Sequence, residues 1–145
     1  MQILKIRTKK RILGNYGEIA ARRYLRRHGY RIVKKNFVAD SHEIDIIAKD
    51  KETLLFVEVK TRTLGKESPN EPRPASSVTP EKQRSIIKAA SFYAAHNPTN
   101  KKKRFDIIEV YVNSKDGKYS VADIKHLKNT FNLNTAFTPT ERKRK

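Results

Sequence analysis

Residues 42–62 read HEIDIIAKDKETLLFVEVKTR. Two runs rich in Ile, Leu, Val and Phe flank the charged triplet Asp50-Lys51-Glu52. This pattern predicts strands over His42–Lys49 and Thr53–Thr61, and the shortness of the turn makes them antiparallel. Side-chain alternation then places Glu43, Asp45 and Ile47 on one face of the first strand. On the second it groups Leu54, Phe56, Glu58 and Lys60, and it sends Ile44, Ile46, Val57 and Val59 to the opposite side. Strands of this apolar character are normally buried, and a buried carboxylate needs a lysine or a metal beside it. Asp45, Glu58 and Lys60 are therefore the candidate site.

Working outward, apolar residues recur at helical spacing from Lys9 to His28, with Leu13, Tyr16, Ala20, Tyr24 and Leu25 as the stripe. Gly17, Ala20 and Ala21 keep part of that face thin, and Gly29 marks the helix end. Glu18 borders the stripe, and its spacing alone favours an ion pair with Arg22 four residues on. A first strand is expected over Tyr30–Val38. The Gly-, Pro- and Ser-containing stretch Leu64–Thr79 reads as a long loop of the kind that is often functional. Thr79-Pro80-Glu81 opens a second helix, with Thr79 as N-cap and Pro80 in the first position, and Asn97-Pro98 stops it after His96. Two further strands follow, Phe105–Val112 and Lys118–Ile124. A single domain over 1–129 and a mobile basic tail over 130–145 complete the expected organisation.

The chain has 145 residues, no cysteine and a formal charge of +18. Its length suits one compact domain. A field of that sign selects polyanions, and nucleic acid is the commonest one. The missing cysteines exclude disulfides and thiolate metal sites and fit a reducing cytoplasm. The basic N-terminus lacks a signal-peptide pattern, and no apolar run is long enough to span a bilayer, so no membrane partner is expected.

Phosphodiester hydrolysis needs an activated water and positive charge around the phosphate. Carboxylates on adjacent strands can hold a hard divalent ion, and a lysine on the same face can serve water or phosphate. Asp45, Glu58, the Val59 carbonyl and Lys60 meet that specification. The competing reading is a cross-strand salt-bridge ladder on an exposed sheet. Glu-x-Lys alone arises often by chance; an Asp thirteen residues before it, on paired apolar strands in so basic a chain, is more specific.

Seven stretches carry a family likeness: GNYGEIAARRYL at 14–25, GY at 29–30, Asn36, EIDIIA at 43–48, FVEVKTR at 56–62, VTPEKQ at 78–83 and RFD at 104–106. Together they make the chain resemble the YraN family of uncharacterised proteins, related to the PD-(D/E)xK nucleases and, among these, most similar to archaeal-type Holliday junction resolvases. The resemblance implies an α/β restriction endonuclease-like core: a mixed sheet with an antiparallel meander, in the order helix-strand-strand-strand-helix-strand. It implies Mg²⁺ or Mn²⁺ on Asp45, Glu58 and Glu18, with Lys60 assisting the nucleophile. Glu18 would thus complete the acidic cluster, against the ion pair that spacing favours. Lys82 and Gln83 match the family's Lys-Gln pair and are expected at the nucleic-acid backbone, with packing of the helix N-terminus as the alternative. His42 stands where the family usually has glycine, a change expected to bear on local geometry or substrate access, and is read as a solvated turn residue with a metal ligand as the less favoured alternative. Asp106 reads as a structural partner of Arg104.

The expected activity is a DNA endonuclease acting on structured or branched DNA. A nucleic-acid-binding protein without hydrolytic activity is the alternative. Arg62, Lys82, Gln83 and Lys101, Lys102 and Lys103 are the expected nucleic-acid contacts. Symmetric cutting of a junction would call for a homodimer.

Overall fold

The structure, a computed structural model, describes residues 2–65 and 78–131, with side chains from residue 8 onward. Two helices and five strands follow one another as α1 (Gln2–Arg27), β1 (Arg31–Ala39), β2 (His42–Lys49), β3 (Thr53–Thr63), α2 (Pro80–His96), β4 (Lys102–Lys115) and β5 (Lys118–Phe131). The strands form one mixed sheet in sequence order. β1, β2 and β3 make an antiparallel meander, β3 and β4 run parallel, and β5 returns antiparallel on β4. This is the expected α/β architecture, with one helix on each side of the sheet.

The two sheet faces have separate cores. On one, Ala21 and Leu25 of α1 meet Ile46, Ala48, Leu55, Val57, Ile108 and Val110. On the other, Ile86, Ile87, Ala90 and Tyr93 of α2 meet Ile44, Ile47, Leu54, Phe56, Phe105 and Ile107. Burial on both faces explains why β2, β3 and β4 read as near-continuous apolar runs.

Each helix ends as its sequence dictates. At the end of α1 the Tyr30 N–H donates to the Leu25 carbonyl and that of Gly29 to Arg26, with Gly29 at φ 88°, the left-handed C-terminal cap that glycine adopts freely. At the start of α2 the Thr79 hydroxyl accepts from the Lys82 N–H at 3.1 Å. The close approach of α1 to the sheet rests on Gly17, where any Cβ would overlap the Thr61 side chain.

Several boundaries and one face differ from expectation. α1 begins at Gln2 rather than near Lys9, and β4 and β5 are longer than the apolar pattern. β5 reaches Phe131, whose side chain is buried, two residues into the stretch expected to be tail; the remainder of that tail, and most of the 64–79 loop, lie outside the described residues. Ile44 packs with the α2 core although Ile46 packs with the α1 core, so strict alternation fails between them. Asn36 of β1 lies across from Asp45, between the pairs Lys35↔Ile46 and Phe37↔Ile44, and takes φ 50°. A left-handed residue interrupts the pleat there.

Candidate active site

β2 and β3 are hydrogen-bonded partners from Lys49↔Leu54 as far as Ile46↔Val57. The ladder ends there, and the Val59 N–H, which would otherwise face a carbonyl, donates to Asp45 Oδ2 at 2.8 Å. The Asp45 carboxylate therefore fills the gap where the two strands part. Its side chain also shares a hydrogen bond with Glu58. Burial, followed by the charge and hydrogen bond of Glu58, pushes the Asp45 carboxyl up to about 7, although the Val59 N–H and Lys82 act against the rise. Two lysines face Glu58, Lys60 from its own strand at 3.7 Å and Lys82 from the first turn of α2 at 3.6 Å.

Glu18 comes to this gap from the other side of the sheet. It lines a hollow of about 390 Å³ with Lys10, Leu13, Val59, Lys60, Thr61 and Arg62. Burial raises its carboxyl to about 7, helped by the charges of Asp45 and Glu43 and opposed by Arg22. Glu18 thus feels both of its expected neighbours, Asp45 from the cluster and Arg22 from the helix. Among the described residues, no three Asp, Glu, His or Cys side chains converge as a ready-made metal cage. The oxygen donors that do meet are those of Asp45 and Glu58.

A family model described as uncharacterised protein family UPF0102 matches residues 17–110, which hold all of these acids and both lysines. The chain belongs to UPF0102. A UPF0102 protein of Chlorobium phaeobacteroides is 43% identical over 122 residues, covering 83% of this chain and 93% of the relative. Another, from Caldanaerobacter subterraneus, is 41% identical over 126 residues, 86% of this chain and 98% of the relative. A third, from Chlorobaculum parvum, is 45% identical over 121 residues, 82% and 91% of the two chains. The YraN-family resemblance seen in the sequence is thereby borne out at the level of the family.

Not every residue singled out in this UPF0102 chain lies near the acids. Arg62 lines the Glu18 hollow and Lys82 reaches Glu58. Gln83 instead donates from Nε2 to the Val78 carbonyl at 3.0 Å, an N-terminal packing role, and its buried Oε1 has no partner among the described residues. Lys101 is tied to the β2–β3 turn, its Nζ donating to the Asp50 and Lys51 carbonyls at 2.7 Å each. Thr53 pairs with Lys102 and Leu54 with Lys103, at the end of β3 away from Glu58. Any nucleic-acid contact by Lys101, Lys102 and Lys103 is thus remote from the acids.

His42 is not a solvated turn residue. Its backbone φ is not among the positive ones, and its Nδ1 lies 2.7 Å from Ser85 Oγ, pinning β2 to α2. Asp106 is fully buried and takes a bidentate hydrogen bond from Arg104, as expected. It also accepts from His126 Nε2 at 2.7 Å and from the Asn129 N–H at 2.9 Å. Burial works against its charge, and these partners outweigh it, holding the carboxyl below its usual range. Lys10, Thr61 and the Val59 N–H were missed as members of the site. Gly17, directly before Glu18 on a face of small residues, was the available signal for the first two.

Proposed function

We propose that this UPF0102 protein is a metal-dependent endonuclease that hydrolyses phosphodiester bonds in DNA, with branched or structured DNA as its substrate. The observation that carries this reading is the Asp45–Glu58 pair at the strand gap, where burial and then proximity to Glu58 make Asp45 harder to ionise. Two carboxylates in one buried place repel one another, and Lys60 and Lys82 are at ion-pair distance from Glu58 rather than Asp45, so a cation between the two acids would relieve the repulsion. In a chain of charge +18 such a pair would also oppose an approaching phosphate.

The donor set fits Mg²⁺ or Mn²⁺. These ions prefer hard oxygens and commonly bind through one or two carboxylates, leaving other positions to water and substrate phosphate. Asp45 and Glu58 would hold the ion, with the Val59 carbonyl and Glu18 beside them. When bound, the ion supplies positive charge at the scissile phosphate. Lys60 and Lys82, both facing Glu58, offset the charge that builds on the phosphoryl oxygens. Glu18 lines the hollow beside the same gap, where it would complete the acidic set around the ion, and Lys60 would assist the attacking water. Arg62 and Lys10 in the same hollow meet the flanking phosphates.

The test is cleavage of labelled duplex, single-stranded and four-way-junction DNA with Mg²⁺ or Mn²⁺, beside Asp45→Ala and Lys60→Ala. Wild type is expected to cleave, and each variant to lose on the order of 100-fold or more, the usual effect of removing one transition-state contact. Equal cleavage by all three would sink the proposal. Tight, salt-sensitive binding without cleavage would favour a non-catalytic binding protein.

A further inference from the structure

On the flank of α1 away from Glu18, an open groove of about 230 Å³ runs between the helix and β5. Glu18 and Arg23 are about 140° apart around the helix axis, so the groove and the acidic gap lie on different sides of α1. Ile19 and Val121 contribute the apolar surface, at 42% and 41% exposure. Aromatic rings bound the groove. Tyr16 packs 5.5 Å from Tyr119, and Tyr24 lies 4.1 Å from the ring of His28. Arg23 and Arg27, one helical turn apart and both exposed, line it as well. Among the described residues neither has a carboxylate at ion-pair distance.

Tyr24 is held from beneath. Its hydroxyl lies 3.2 Å from His126 Nδ1, and His126 in turn is fixed by the buried Asp106 and its Arg104 partner. This polar chain fixes the orientation of one groove wall.

Two guanidinium groups without a counter-charge call for an anion, and the aromatic and aliphatic surface between them calls for a flat apolar body. A nucleotide carries both. We infer that the groove takes an unpaired nucleotide of a nucleic-acid strand, its base against Tyr24, Ile19 and Val121 and its phosphates on Arg23 and Arg27. Bases of a closed duplex cannot reach such a surface, whereas unpaired bases stack on it regardless of sequence. The inference rests on nucleic acid being the partner proposed above, and it names the feature selected: a strand with unpaired bases on the flank of α1 away from the cleavage gap. It does not rest on cleavage.

The experiment measures binding of the full chain in chelator-containing buffer by fluorescence anisotropy. The probes are an oligothymidylate, the same strand with abasic sites, and a closed hairpin duplex. Arg23→Ala with Arg27→Ala should lower the salt slope for the single strand by about 1.4, from roughly 0.7 per lost phosphate contact. Ile19→Ser with Val121→Ser, both at exposed positions, should weaken the intact strand about fivefold and leave the abasic strand unchanged. Equal weakening of intact and abasic strands by the Ile19/Val121 variant, or wild-type affinity in both double variants, would overturn the inference. So would a change in sedimentation of the Ile19/Val121 variant with unaltered strand affinity, which would make the groove a contact between copies. Cleavage assayed in parallel separates the two claims. Groove-dependent binding without cleavage removes the nuclease reading and supports the groove, while cleavage with groove-independent binding does the reverse.

Discussion

Burial opposes the charge of Asp45 most and the neighbouring Glu58 opposes it next, while the Val59 N–H and Lys82 favour it. Between about pH 4 and 7 the native state therefore holds more protons than the unfolded chain at Asp45, and likewise at Glu18. Stability is present below that window and falls as pH rises through it. Asp45→Asn removes one contributor. Its melting temperature is expected to exceed that of wild type by roughly 3–6 °C at pH 8 and to differ little at pH 4.5. Millimolar Mn²⁺ or Mg²⁺ at pH 8 should raise the melting temperature of wild type and leave that of Asp45→Asn nearly unmoved. A wild type that gains nothing from either cation would remove Asp45 from the ligand set, whatever the cleavage assay shows.

Helix α1 brings Glu18 to the gap only because Gly17 lets it lie against Thr61 of β3. Gly17→Val should cost about 1–3 kcal/mol from overpacking and lower cleavage at least about tenfold by moving Glu18 off its neighbours, read by chemical denaturation and DNA cleavage. At the far end of the hairpin, Lys101→Ala leaves two carbonyls without their charged donor, and a loss on the order of 1–3 kcal/mol should appear in the same denaturation curves. Elements whose borders are set by local chemistry were legible in the sequence. The limits of α2 follow from Thr79-Pro80 and Asn97-Pro98, and those of β2 from its turns. The first turns of α1 scatter Ile3, Leu4 and Ile6 among lysines and an arginine, too short a pattern for periodicity to reveal them. β5 beyond Ile124 mixes exposed and half-buried residues in no regular order and is anchored by the distant Phe131, which hides a strand from any pattern of alternation. Asp45, Glu58 and Lys60 were readable because acids inside apolar strands conflict with burial. The face of Ile44 was not, because alternation assumes the unbroken pleat that Asn36 interrupts. Glu18 lies within reach of both Arg22 and Asp45, and only tertiary packing brings it to the second.

Positive charge is spread over the whole molecule, at Arg23 and Arg27 on one flank of α1, Lys10 and Arg62 on the other, and Lys101–Lys103 at the distal end of the sheet. Among the described residues no helix is long and apolar enough to cross a membrane. The parallel pairing of β3 with β4 joins Thr53 to Lys102 across the loop and α2, whereas β2 and β3 are joined by a tight turn. Local hairpins close in microseconds, while distant strand pairings must first overcome the entropy of a long loop. The acidic hairpin should consequently form ahead of the strand that seals the sheet, so Asp45 and Glu58 meet while the chain is still only partly folded. Their repulsion then belongs to the folding barrier as well as to the finished site. Refolding followed by stopped flow is expected to be faster at pH 5.5 than at pH 8, and faster at pH 8 with Mn²⁺ than without it. If pH and cation alter only the unfolding limb, the pair assembles late and that order of events is wrong.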